Sequence, residues 1–70
     1  MTRTPVVSSN LKSVGYDTAT RTLEIQFLSG GIYQYINVPP NVYSALMAAS
    51  SHGSFFARAI RNSYRFRKIN

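Results

Sequence analysis

Residues Thr22 to Phe27 alternate without a break, with Leu23, Ile25 and Phe27 on one face of an extended segment and Glu24 and Gln26 on the other. The segment runs through Leu28 into Ser29-Gly30-Gly31, where glycine supplies the positive φ that a tight β-turn needs. Ile32-Tyr33-Gln34-Tyr35-Ile36-Asn37-Val38 then reads as a returning strand. The hairpin defined this way is the strongest local signal in the chain.

Loop length decides which way the two tyrosines point. A two-residue loop at Gly30-Gly31 would set Phe27 opposite Gln34 and Ile25 opposite Ile36. A three-residue loop with a left-handed glycine sets Phe27 opposite Tyr33 and Ile25 opposite Tyr35. A one-residue slip exchanges the faces of the whole strand. The second register is favoured, because it opposes Gln26 to Gln34 and groups the aromatics with the apolar row. It leaves Ile32 and Ile36 on the outer face.

Val14 and Tyr16 begin an earlier strand that ends at the turn-forming Asp17-Thr18-Ala19-Thr20. Beyond Val38-Pro39-Pro40, the residues Val42, Tyr43, Leu46, Met47 and Ala49 line one broad face of a helix. Gly53 breaks that helix, and Ser54 is placed to cap a second one whose buried stripe is Phe55, Phe56, Ala59 and Ile60. Tyr64 to Ile69 alternates again and fits a short fourth strand at the sheet edge. The expected architecture is α+β: a small three-stranded antiparallel sheet followed by two helices packed on one face, with a short C-terminal edge strand. Residues 1–7, rich in Thr and Pro, read as a flexible lead-in, and residues 8–69 as a single domain.

Composition narrows the function. Seventy residues with no cysteine exclude both a disulfide framework and a thiolate zinc site. With 44% apolar and 14% charged residues, the chain is too hydrophobic for a disordered segment. The longest apolar stretch, Ala45 to Ala49, is far short of the roughly 20 residues that span a bilayer. Since no signal-peptide core is present either, a cytoplasmic protein without membrane attachment is expected.

Catalytic chemistry has little to work with. The only carboxylates are Asp17, in a turn, and Glu24, mid-strand and pointing outward, so paired acid–base or metal–carboxylate chemistry is not expected. His52 is the sole histidine and falls in the loop Ser51-His52-Gly53; an adjacent serine does not make a triad. One histidine without thiols cannot fill a metal shell, and Ser29-Gly30-Gly31 lacks the lysine of a phosphate loop. No enzyme, cofactor or metal is expected.

The charge is lopsided. The net charge is +6, no acid follows Glu24, and Arg58, Arg61, Arg65, Arg67 and Lys68 supply five of eight cations within eleven residues. On a continuing helix, Arg58, Arg61 and Arg65 would share one exposed edge. Tyr64 and Phe66 interleave with them, a combination suited to phosphate contact and base stacking. The competing reading is a solvated helix edge and an edge strand guarded by charge. Tyr33 and Tyr35 have two readings as well: a stacking platform, or core rings packed with Phe27 and Phe55 while their hydroxyls seek polar partners.

Taken together, a strand ending in Gly15-Tyr16-Asp17, the Leu23, Ile25, Phe27 row, Ser29-Gly30-Gly31, Tyr33-x-Tyr35, Val38-Pro39, Ala49-Ser50-x-x-Gly53, Phe55-Phe56, Ile60-Arg61 and Tyr64 resemble the KTSC domain family over residues 8 to 69. That family takes its name from the C-terminus of some lysyl-tRNA synthetases and also occurs alone in small bacterial and phage proteins. This chain has Ala57 where the family often shows asparagine, and His52 where it often shows lysine. The resemblance implies no assigned activity; RNA binding is suggested only by attachment to a tRNA-charging enzyme.

The expected function is therefore a small non-catalytic module that contacts nucleic acid, RNA rather than DNA. Phosphate contacts would come from Arg58, Arg61, Arg65, Arg67 and Lys68, helped by Lys12 and Arg21, and stacking from Tyr64, Phe66 or the Tyr33–Tyr35 pair. Five phosphate contacts on a single strand would give a slope of log K against log salt near about −3.5. The alternative is a protein–protein adaptor, or a homodimer, using Leu28, Ile32 and Ile36 on the outer sheet face.

Overall fold

The alternating segment becomes the middle strand of a five-stranded antiparallel sheet. The computed structural model describes residues 1–70, with β1 at Arg3–Pro5, β2 at Leu11–Asp17, β3 at Thr22–Phe27, β4 at Ile32–Tyr35, α1 at Pro40–Ala48, α2 at His52–Ala59 and β5 at Phe66–Lys68. The strands lie in chain order, β1-β2-β3-β4-β5, and the helical pair is inserted between β4 and β5. The α+β class and the C-terminal edge strand are as expected. The strand count is not: Arg3–Pro5, in the segment read as a flexible lead-in, pairs with β2 and brings the sheet to five.

Register also differs from the expectation, by two residues. Ile25 lies opposite Tyr33 and Leu23 opposite Tyr35, while Gln26 faces Ile32. The loop is Leu28-Ser29-Gly30, closed by Phe27 N–H donating to the Gly31 carbonyl and Gly30 N–H to the Phe27 carbonyl, both at 2.9 Å. Gly30 takes the left-handed conformation at φ 109°, so the three-residue turn starts one position earlier than the glycine pair suggests. A shift of two preserves the faces, and both tyrosines still point inward with the apolar row. Ile32 stays on the outer side but is only 9% exposed.

Leu11 enters the core through a β-bulge. It pairs with Phe27, while Ser13 pairs with Gln26, leaving Lys12 as the extra residue and turning both Leu11 and Val14 inward. With Leu23, Ile25 and Tyr35 they meet Val38, Leu46, Phe56 and Ile60 in one apolar cluster beneath the helices. Tyr16 joins the halves by stacking on Tyr43 at 4.7 Å and donating its hydroxyl to the Val38 carbonyl at 2.5 Å. Each fully buried Leu or Ile in this cluster stabilises the fold by about 1.5–3 kcal/mol.

The second helix starts earlier than expected. Ser51, not Ser54, is its cap, accepting the Ser54 N–H at 3.3 Å, and Gly53 lies inside the first turn. His52 is the first helical residue rather than an exposed loop residue. It is half-buried, with Nδ1 2.9 Å from the Leu46 carbonyl at the end of α1. The same carbonyl accepts the Ala49 N–H at 3.3 Å, so the imidazole adds a second contact where the last turn of α1 closes.

The outer face carries a polar row through all five strands: Arg3, Gly15, Glu24, Gln34 and Arg67 lie opposite one another in sequence. Arg3 Nη1 reaches Glu24 Oε2, Gln34 Nε2 donates to Glu24 Oε1 at 2.9 Å, and Arg67 Nε and Nη2 both donate to Gln34 Oε1 at 3.1 and 2.9 Å. Glycine at position 15 keeps the row open, since a Cβ there would stand 2.8 Å from the Thr2 carbonyl oxygen and 3.1 Å from Arg3 Cγ. Burial opposes ionisation of Glu24, but the hydrogen bonds from Gln34 and Arg3 and the Arg3 charge outweigh it and hold the carboxyl below its ordinary range.

A lowered folded-state pKa contributes stability above the unfolded-state value, which is lost as pH falls through the folded-state one. Urea unfolding should therefore show a decline in stability below about pH 4.3 that Glu24→Gln flattens. Gly15→Ala should cost about 1–3 kcal/mol in the same measurement at neutral pH, because the added methyl meets backbone rather than a flexible side chain.

Candidate functional site

Inward-facing residues of β3, β4 and β5 do not all end beneath helix. Near the β3–β4 turn they border a cavity of about 540 Å³ between the sheet and the α2–β5 connection. Five rings line it and touch in a closed circuit. Phe27 meets Tyr33 at 5.5 Å, Tyr33 meets Phe66 at 5.8 Å and Phe66 meets Tyr35 at 5.6 Å; Tyr35 meets Phe56 at 5.3 Å, and Phe56 returns to Phe27 at 5.4 Å. Three of the contacts are edge-to-face, with interplanar angles of 70–81°, as the quadrupoles of aromatic rings favour. Polar groups on the rim come from Arg61, Asn62, Asn10 and Ser29.

Each ring is placed by a different constraint. Strand alternation turns Phe27, Tyr33 and Tyr35 inward, and the β4–β5 pairing sets Phe66 directly opposite Tyr35. Phe56 comes up from α2 and is almost completely buried, whereas Phe66 remains 56% exposed at the rim. Tyr35 is 3% exposed, yet its hydroxyl has no hydrogen-bond partner in the chain. No sealed side-chain oxygen or nitrogen is left unpaired anywhere in the structure, so this hydroxyl opens onto the cavity. Burial, aided by Tyr33, pushes its pKa up; the Arg61 charge pulls the other way without reversing the shift.

The basic segment is not a single edge. The second helix ends at Ala59, and Ile60 to Ser63 form a turn, so Arg58, Arg61 and Arg65 do not share a helical face. Arg58 lies over the Phe55 ring with its guanidinium carbon 5.6 Å from the centroid. Arg61 swings to the cavity rim. Lys68 pairs with Tyr33 and shares the cavity face, whereas Arg67 pairs with Gln34 on the opposite face and is bonded to it. Arg65 is exposed, and its carbonyl accepts the Ile36 N–H at 2.8 Å. Tyr64 packs against the core instead of standing free. Lys12 and Arg21 are exposed at the β2 bulge and in the β2–β3 turn, Arg21 at φ 55°.

The structure therefore brings together Arg61, Phe66, Tyr33 and Tyr35 of the expected residues and adds Phe27, Phe56, Asn10 and Asn62. Phe27 and Phe56 read in the sequence as core, which they also are. The asparagines carry no pattern of their own, and only the bulge at Leu11 and the turn after α2 bring them to the rim. Neither carboxylate is near: Glu24 is sealed under Arg3 on the other face, and Asp17 lies at the far end of β2.

This architecture is found in solved structures. A KTSC domain protein from Yersinia pestis superposes with a TM-score of 0.96 at 45% identity, covering 99% of this chain and 97% of that one. A profile of the KTSC domain matches residues 7–64, and the chain belongs to the KTSC domain family. An uncharacterized protein of Stutzerimonas stutzeri is 41% identical over 71 residues, the full length of both chains. A lysine–tRNA ligase of Nostoc punctiforme is 37% identical over 62 residues, which are 89% of this chain and 11% of the ligase. No helix is long and apolar enough to cross a membrane.

The raised pKa of Tyr35 fixes the sign of an alkaline effect. Stability from burying the neutral phenol is complete below about pH 10 and is lost as pH rises through the folded-state value. An ultraviolet titration of the five tyrosines should contain a component above that pH which disappears in Tyr35→Phe.

Proposed function

We propose that this domain is a non-catalytic module that holds single-stranded nucleic acid, RNA in preference to DNA, along the face that carries the aromatic cavity. The observation that carries this reading is the separation of charge. The two carboxylates are sealed on the opposite face or displaced to the far end of β2, while Arg61 and Lys68 stand on the cavity side with no acid beside them. An uncompensated positive face attracts a polyanion and speeds its encounter. Exposed phenylalanine and arginine side by side suit a strand whose bases are free to unstack. The preference for RNA draws on the relatives named as ligases of lysine to tRNA.

Absence of catalysis is part of the same proposal. Asp17, Glu24 and His52 are held apart, and each is committed: Glu24 to Arg3 and Gln34, His52 to the Leu46 carbonyl, and Asp17 to the Ala19 N–H of its own turn. Of the outer-face trio considered for a protein partner, Ile32 is buried, so only Leu28 and Ile36 remain exposed.

Because Arg67 faces away and Arg58 lies over Phe55, two or three phosphates are contacted rather than five. Anisotropy titrations with an eight-nucleotide single-stranded RNA should give a slope of log K against log salt of about −1.4 to −2.1. Combining Arg61→Ala with Lys68→Ala should remove most of that slope, and Arg67→Ala should leave it unchanged. Binding that ignores salt, or survives the double substitution, would refute the proposal.

A further inference from the structure

The five-ring cavity is larger than a packing defect and differently built from a stacking platform. A platform presents successive rings on an open sheet surface; here the rings pack on one another along the wall of a single open depression of about 540 Å³, within the roughly 300–1,000 Å³ typical of small-ligand sites. Tyr33 and Tyr35 face into that space instead of standing side by side on an outer surface.

Its chemistry selects among flat groups. A ring of aromatic faces can also hold a cation, but Arg61 stands at the rim and no carboxylate is near, so a second positive charge is disfavoured. Tyr35, a buried residue of the lining, offers an unpartnered hydroxyl that is open to the cavity. At the rim, Asn10 and Asn62 each offer an amide donor and acceptor, and Arg61 offers a fork of donors suited to a phosphate. Apolar walls, a hydroxyl in the lining, amides at the edge and a guanidinium at the mouth together fit a heteroaromatic base carrying a phosphate.

We infer that the cavity is a slot for one unstacked nucleobase, seated against the accessible rings Phe66 and Tyr33 with its phosphate on Arg61. The inference rests on the nucleic-acid reading above and adds to it a site and a stoichiometry of one base per domain. Tyr35 addresses the polar edge of the inserted base, and Phe66, the exposed ring, forms the side over which the base enters. Outside the slot, the strand is held by charge alone.

The test compares ligands of equal charge with and without bases. Binding of an eight-nucleotide single-stranded RNA and of an oligomer of the same length with abasic sugars is measured at one salt concentration. Two-dimensional NMR of the same samples reports which residues respond. The RNA should bind at least about fivefold more tightly, the least expected of one base stacked on aromatic rings. Its shifts should centre on Tyr35, Phe66 and Asn62. Phe66→Ala, at an exposed rim position, should bring the RNA down to the abasic affinity. Tyr35→Phe, which keeps the ring, should change the ranking of oligomers made of single base types.

Equal affinity for both oligomers with the salt slope intact would overturn the slot and leave the phosphate-binding reading standing. Failure of both oligomers to bind would overturn both. Shifts of the same ring resonances by tetramethylammonium, with none from RNA, would make the cavity a cation cage and overturn the inference as well.

Discussion

Once Ile25 lies opposite Tyr33 and Leu23 opposite Tyr35, most of the remaining structure has no alternative. Both tyrosines must then face the helices, and Gln34 must lie beside Glu24 on the other side of the sheet. Because β5 pairs with the same strand, its Phe66 joins the tyrosines and its Arg67 joins Gln34. A single hairpin register thus sorts aromatic from polar residues across three strands. The turn glycine at φ 109° fixes that register, since other residues reach this conformation only with strain.

The two faces that result do different physical work. On one, Glu24 is buried but remains ionised, because Arg3 and Gln34 replace the water it has lost. This row ties β1 to β3 and β4 to β5 without contributing apolar area, which matters in a chain too short for a large core. The opposite face contains nearly all the apolar burial, yet one corner stays open because α2 stops at Ala59 and the chain crosses to β5 through a turn. Had the helix continued, Arg61 would lie along its edge and the aromatic circuit would be covered.

How much of this could be read from residues alone follows from what each signal reports. Strand alternation puts Tyr33 and Tyr35 on one shared face, but which face it is depends on loop length, and their inward direction followed only from favouring the three-residue loop. Alternation does not report register, and Ser29-Gly30-Gly31 admits several loops that differ by an even number of residues without changing the faces. Arg3-Thr4-Pro5 has no apolar alternation at all; its strand is held by pairing with β2 and by the reach of Arg3 across Gly15. Leu11 is out of phase with Val14 because of the bulge at Lys12, which no local pattern announces. The helical spacing of Arg58, Arg61 and Arg65 misled for the opposite reason, since a period can persist in the sequence beyond the point where the helix stops. The cavity depended on all of these at once and was legible only in its aromatic components.

Because the strands follow chain order, β1 and β5 are the two outer edges of the sheet, separated by three strands or roughly 19 Å. The cavity belongs to the β5 side. A polypeptide joined ahead of Arg3 would therefore attach at the edge remote from the aromatic mouth and leave it unobstructed. The same small sheet can in this way be appended to a much larger chain as a terminal attachment, its aromatic cavity turned away from the point of tether, without any redesign of the fold.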